Sequence, residues 1–411
     1  MIETVFYVIV VIIVLEYLLE RFLDYLNTTR WSNILPEVLK GIYDAEKYKK
    51  QQEYEKVNHR FSLLTSSFSI LLMLLMLFLD GFAFVDNISR NVTDNYILIA
   101  LLFFGIIVFA SDILTTPFSI YGTFVIEEKF GFNKTTVKTF ILDKLKGWVL
   151  GAIIGGGLLA LLIWFYNVTE EMFWIYAWGA ITVFMIFMTM FYSSIIVPLF
   201  NKQTPLEDGE LRQEIEKFSK KVGFKLDNIF KIDGSKRSTK ANAYFSGIGP
   251  KKRIVLYDTL INDMEVNEIV AVLAHEIGHY KKKHIFSSML ISIIQTGITL
   301  FILSIFIGNP VLSKALGVDQ ASFHIGLIAF GILYSPISTI IGLGMNILSR
   351  KNEYAADKFA GDNYNAEYLA SALKKLSVKN LSNLTPHPLY VFFHYSHPPL
   401  LERLNALGKL K

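Results

Sequence analysis

Residues 96–116 read YILIALLFFGIIVFASDILTT. At 1.5 Å per residue a helix over this stretch is about 30 Å long, the depth of bilayer hydrocarbon. Apolar side chains fill most of it, so it reads as a helix that crosses a membrane. Working outward, six more stretches have the same character, near residues 3–22, 62–82, 147–166, 172–198, 286–308 and 321–348. The first is the weakest, because its unbroken apolar run from Val5 to Leu15 is short. The chain of 411 residues is 52% hydrophobic and 18% charged, too apolar for an ordinary soluble protein, and the apolar residues come in blocks. The expected fold is therefore mainly α: a polytopic membrane protein of seven transmembrane helices, with a small α+β domain between the fifth and sixth.

Four regions follow. Residues 1–198 hold five spans and basic loops, 199–285 a soluble segment, 286–348 the last two spans, and 349–411 a soluble tail. No basic stretch precedes the first span, and Glu16, Glu20 and Arg21 follow its core without a small-residue cleavage site, so it reads as uncleaved. Gly151 and Gly155 in the fourth span form a small-xxx-small pair, which predicts close helix packing.

Loop charge predicts the orientation. Arg30, Lys40, Lys47, Lys49, Lys50, Lys56 and Arg60 lie between spans one and two, and Lys129, Lys134, Lys138, Lys144 and Lys146 between three and four. The alternate loops hold Arg90, no basic residue in 167–171, and Lys314. By the positive-inside rule the rich loops are cytoplasmic, with the N-terminus outside and both 199–285 and the tail inside. Asn87, Asn91 and Asn167 open Asn-x-Ser/Thr triplets on the outer side, read here as ordinary loop polarity. The net charge of +4 is modest and forms no basic stripe, so DNA or RNA binding has no support. The chain has no cysteine, which excludes disulfides and leaves His, Asp and Glu as metal ligands.

Residues 275–279, His-Glu-Ile-Gly-His, lie in a segment patterned as a helix from Met264 to about His284. Two histidines four apart share a helix face, so both imidazoles reach one zinc ion. Glu276 then stands beside the open coordination position, where it can take a proton from water. Asn262 is the expected cap of that helix, with Glu265 completing a capping box. Upstream, Glu210–Val222 reads as an amphipathic helix and Ile229–Ile232 as a strand. Ser235–Ser238 forms a polar turn, and Ala243–Phe245 and Arg253–Tyr257 are strands joined by a turn at Gly247–Pro250. An edge strand around Asn242–Phe245 could pair with a substrate backbone, or be only an ordinary hairpin strand.

A catalytic zinc needs a third ligand from a separate element. Glu353 and Asp357, four apart beyond span seven, suit that ligand and a carboxylate that orients a ligand histidine, though a solvated acidic face has the same pattern. The tail carries His394, His397 and Arg403, which could either stabilise an oxyanion or dock the last helix.

Together the stretches Phe124–Thr136, Arg237–Phe245, Leu273–Tyr280, Asn352–Asp357 and His394–Leu404 resemble the type-1 CAAX prenyl endopeptidases, integral-membrane zinc metalloproteases. The resemblance implies seven tilted helices around a water-filled chamber with one zinc site at its cytosolic end. It implies His275, His279 and Glu353 as ligands, Glu276 as general base and Asp357 behind the ligands. It also implies Asn242 and Ala243 as substrate-backbone contacts, with His397 and Arg403 as active-site supports. The substrate would be a peptide or protein, prenylated or similarly extended, and the membrane either a bacterial inner membrane or the endoplasmic reticulum. Lys240 departs from the small polar residue or histidine common there, and no acidic insert separates the signature halves. Two other readings stay open: a heat-shock-type membrane quality-control protease, and a seven-span carrier or receptor with a structural metal.

Overall fold

The computed structural model describes residues 1–225, 229–247 and 252–409. In the membrane half the helices are α1 (Ile2–Thr28), α2 (Ala45–Phe78), α3 (Gly81–Val92), α4 (Tyr96–Tyr121), α5 (Val137–Leu150), α6 (Gly157–Thr169), α7 (Phe173–Ile195) and α8 (Val197–Phe200). Among the described residues six helical stretches are long and apolar enough to span a bilayer. One of them, Val137–Phe200, has 64 residues, about three times what a single crossing needs. It turns back where Glu170 takes φ 45°. Beyond the turn Leu159 and Ile163 of α6 pack with Ala177 and Ile181 of α7, so the stretch crosses twice and the crossings number seven.

The soluble half contains β1 (Gln203–Pro205), α9 (Glu210–Lys221), β2 (Ile229–Ile232), β3 (Ala243–Ser246), β4 (Arg253–Tyr257), α10 (Asp258–Asp263) and α11 (Val266–Lys281). The chain then returns to the membrane through α12 (His284–Phe306), α13 (Pro310–Ala315) and α14 (Phe323–Ala360), and ends in α15 (Ala366–Lys379), α16 (Pro388–His394) and α17 (Leu400–Ala406). Strand order is β1-β2-β4-β3, with β2 and β4 parallel and the outer pairs antiparallel, so β3 is an edge. Every residue from Glu268 to His275 is buried. That makes α11 the axis of the soluble domain, packed on several sides rather than along one stripe.

Two local expectations are corrected. The capping box of α11 is Glu265 with Glu268, since Asn262 lies inside the short helix α10 and the chain is extended at Met264 and Glu265. Residues Gly151–Gly156 form a π-helical segment, and a Cβ on Gly151 or Gly155 would meet nothing within 4 Å. Those glycines therefore lie in a π-helical segment and seat no neighbouring helix. The expected turn at Gly247–Pro250 lies largely outside the described residues.

Burial is concentrated at the two ends of the bundle. No residue is buried between Gln52 and Leu77, between Phe103 and Ile126, between Ala177 and Ser193, or between Tyr334 and Glu353. At one end Phe82, Phe103, Leu312 and Ile325 form one cluster and Ile163, Phe173 and Phe323 another. At the other end Tyr48, Phe130 and Phe132 join the core built on α11. The middle is hollow. Thr65, Ser69, Thr115 and Ser119 line one gap of about 450 Å³, and Glu16, Tyr17, Glu20, Ser66 and Ser335 line another of about 510 Å³. Polar groups at membrane depth face such interiors because lipid cannot satisfy them. Accessible area is 21271 Å², whereas a compact protein of this mass would expose about 16,000 Å².

Candidate active site

The site forms where α11 meets α14. The four-residue spacing puts the His275 and His279 rings 4.7 Å apart, with their Nε2 atoms separated by 3.1 Å. Gly278 lies between them on the neighbouring face. A Cβ there would stand 3.2 Å from the backbone of Ala356, so glycine allows α14 to approach closely. Reading the pentapeptide only for its ligands misses this use of Gly278, although a glycine inside a helix always asks for a packing reason.

That approach delivers Glu353. Its Oε2 lies 3.4 Å from His275 Nε2 and its Oε1 3.2 Å from His279 Nε2. One ligand atom from each residue falls within 4.8 Å of the others. Glu353 is 4% exposed, and its Oε2 has only long contacts, to His275 Nε2 at 3.4 Å and Arg403 Nη1 at 3.7 Å. A buried carboxylate held only by such long contacts leaves room for a cation to bind it closely. Two imidazoles and one carboxylate are also the donor set of hydrolytic zinc centres, so the residues present fit such an ion.

A second layer holds the first. Asp357, 1% exposed, accepts from His275 Nδ1 through Oδ1 at 2.8 Å. Arg403 clamps the same carboxylate with two bonds, from Nη2 to Oδ1 at 2.6 Å and from Nε to Oδ2 at 2.8 Å. The His275 pKa is pushed up to about 9: burial opposes the charged ring, but hydrogen bonds to Asp357 and Glu353 outweigh it. A cation among these groups would take the place of that proton.

The remaining expected residues are placed as follows. Glu276 is half-buried and has no hydrogen-bond or ion-pair partner among the described residues. His397 is exposed, with Nε2 3.4 Å from Glu353 Oε1 and Nδ1 3.0 Å from Ser396 Oγ. With Arg403, Tyr395 and Ser377 it lines a cavity of about 330 Å³. Asn242 immediately precedes the edge strand β3 and Ala243 begins it; β3 reaches α11 through Phe245 against Tyr280, ring centroids 5.5 Å apart. The Tyr257 N–H donates to the Asn242 carbonyl. By antiparallel alternation Asn242, Tyr244 and Ser246 then face β4, while Ala243 and Phe245 turn their backbone groups outward. The Ala243 N–H meets only the Asn242 Oδ1, at 2.8 Å. Lys240, just before this edge, bonds Tyr54 Oη at 3.0 Å and Glu127 Oε2 at 2.9 Å and lies over the Phe132 ring.

Comparison with known proteins finds relatives over nearly the whole chain. Residues 24–202 match the family model described as CAAX prenyl protease N-terminal, five membrane helices. Residues 205–411 match Peptidase family M48. The CAAX prenyl protease 1 homolog of Dictyostelium discoideum is 38% identical, covering 96% of this chain and 95% of that protein. The Arabidopsis thaliana homolog is 37% identical, with 96% and 95% coverage. The crystal structure of S. mikatae Ste24p superposes with a TM-score of 0.92 at 35% identity, over 98% of this chain and 99% of that one. With its membrane helices and its paired-histidine helix both accounted for, the chain belongs to peptidase family M48, as an integral-membrane metalloendopeptidase.

Proposed function

We propose that this protein is a zinc endopeptidase that cuts near the C-terminus of prenylated CAAX-type proteins, or of similarly extended substrates, at the cytosolic face of its membrane. The observation that carries the reading is the meeting of His275 Nε2, His279 Nε2 and the buried Glu353 carboxylate at the end of a hollow bundle. When bound, zinc supplies Lewis-acid chemistry, acidifying water and polarising a carbonyl. His275, His279 and Glu353 hold it. Glu276, free of partners, takes the proton from the attacking water and passes it to the leaving amine. Asp357 keeps the His275 Nδ1 proton in place, and Arg403 keeps Asp357 ionised and fixed. Arg403 supplies positive charge, and His397 a ring nitrogen, beside the reacting carbonyl. The Ala243 edge of β3 receives the substrate backbone as an added strand, with Asn242 at its start.

The polar-lined hollow would admit an extended tail and a lipid while excluding folded protein. Names of relatives such as the CAAX prenyl protease 1 homologs favour a prenylated substrate. The basic loops favour a cytosolic site, in an endoplasmic reticulum or a bacterial inner membrane. The test uses one CAAX peptide, farnesylated and unmodified, incubated with purified zinc-loaded protein and the products weighed by mass spectrometry. Release of the C-terminal tripeptide at a rate that falls without the farnesyl group is expected. Equal rates would remove the prenyl group from the specificity, and no cleavage of either would remove the proposed activity.

A further inference from the structure

His284 has no place in the catalytic scheme above, yet its ring touches a proposed ligand. Its Nδ1 lies 3.0 Å from His279 Nδ1, and the two rings meet edge to face, 5.1 Å apart at 73°. The other nitrogen of His279, Nε2, faces His275 Nε2 at 3.1 Å and Glu353 Oε1 at 3.2 Å. Two ring nitrogens at hydrogen-bond distance share one proton. If His279 offers its Nε2 lone pair to a metal, the proton must sit on its own Nδ1. The facing Nδ1 of His284 is then the acceptor, and His284 carries its proton on Nε2.

We propose that His284 is the positioning residue for His279, fixing its tautomer and ring angle for zinc as Asp357 does for His275. The inference rests on the zinc reading above. The backbone is arranged for this contact. On one continuous helix, residues five apart point about 140° away from each other and cannot meet. Here α11 stops at Lys281, and Lys283 takes φ 58° in the left-handed region. The chain is redirected there, and α12 starts at His284 with its side chain folded back on the last turn of α11. The N-terminal residue of the sixth span thus buttresses the soluble metal helix. The two ligand histidines have unlike supports: a charged carboxylate for one, a neutral ring at a membrane-helix terminus for the other.

The test measures zinc affinity of the full-length purified protein by chelator competition, with no reference to turnover. Asparagine places a carbonyl oxygen close to where Nδ1 stands, whereas glutamine places it one bond further and leucine has none. His284→Leu and His284→Gln should weaken zinc binding about 10- to 100-fold, the usual effect of losing such a support. His284→Asn should stay within a few-fold of the parent. Parent-like affinity in His284→Leu overturns the proposal. If leucine does not fold, Asn and Gln decide: equal affinities overturn it, because shape and not the acceptor would then matter. Should the parent protein itself hold no zinc, the zinc reading fails instead, and His275→Ala as a control separates the two outcomes.

Discussion

At the scale of single residues, the proposed site divides into groups that would bind a metal and a group that would react. Glu276 is left without a partner, while His275, His279 and Glu353 converge and Asp357 is held by three hydrogen bonds from His275 and Arg403. Two substitutions should therefore fail differently. Glu276→Gln keeps the volume and removes the base, so zinc content should remain full while kcat drops by about 10²- to 10⁴-fold. Asp357→Asn leaves Arg403 buried without its carboxylate and can hold His275 in the wrong tautomer, so zinc affinity itself should fall about 10- to 100-fold. Metal analysis beside single-turnover kinetics distinguishes the two. Full activity in Glu276→Gln would remove it from the mechanism.

At the scale of elements, α11 depends on a buried carboxylate. Glu268 closes the capping box, accepts from Ser371 at 2.6 Å and pairs with Lys375 at 2.7 Å. Burial works against its charge, but the bonds from Lys375, Ser371 and the Glu265 N–H outweigh it and lower its pKa. A carboxylate whose pKa is lowered by folding contributes fully above its unfolded value, about 4.3, and loses that contribution as pH falls through the folded value. Glu268→Gln should cost about 1–3 kcal/mol at neutral pH. Melting curves of parent and variant should converge below about pH 4; a constant gap would mean that charge is not the cause. The edge strand gives a second test. Ala243→Pro removes an outward N–H and no ladder bond, so the protein should fold while KM for an extended peptide rises about 10-fold or more, since one N–H···O contact to the bound strand is lost. Tyr244→Pro, which breaks pairing with β4, should destabilise instead. An unchanged KM in Ala243→Pro would exclude strand addition at this edge.

At the scale of the molecule, the ends of the bundle differ. The loops rich in lysine meet the soluble domain: Lys240 bonds Tyr54 and Glu127, and Arg237 pairs twice with Asp143 at 2.8 and 2.9 Å. The basic-poor loops meet one another at the far end, where Arg90 bonds Asp86 and Ser322 and the Tyr166 ring lies 5.2 Å from that of Phe323. Charge and packing thus sort the loops in the same way, as an oriented membrane protein requires. Because the chain has no cysteine, single cysteines report sidedness cleanly. Cysteines at Lys49 and Lys134 should react with an impermeant thiol reagent from the cytosolic face, and cysteines at Asn91 and Lys314 from the opposite one. Labelling of all four from one side would overturn the proposed topology.

Much of this was legible in order along the chain. The seven apolar blocks, the strands Ile229–Ile232 and Arg253–Tyr257, the i,i+4 histidines and the acidic pair Glu353 and Asp357 are local patterns, because hydrocarbon thickness and helical pitch act over a few turns. Tertiary structure alone decided what depends on atoms far apart in sequence. The closeness of α14 to α11 over Gly278, the two-bond grip of Arg403 on Asp357, the free edge of β3 and the turn at Lys283 that lays His284 against His279 all belong to that class. So do the corrected details: Glu265, not Asn262, caps α11 because α10 intervenes, and Gly151 and Gly155 open a π segment with no neighbour to receive them. Local propensity reports what a segment can form, but which faces meet is set by the packing of the whole chain.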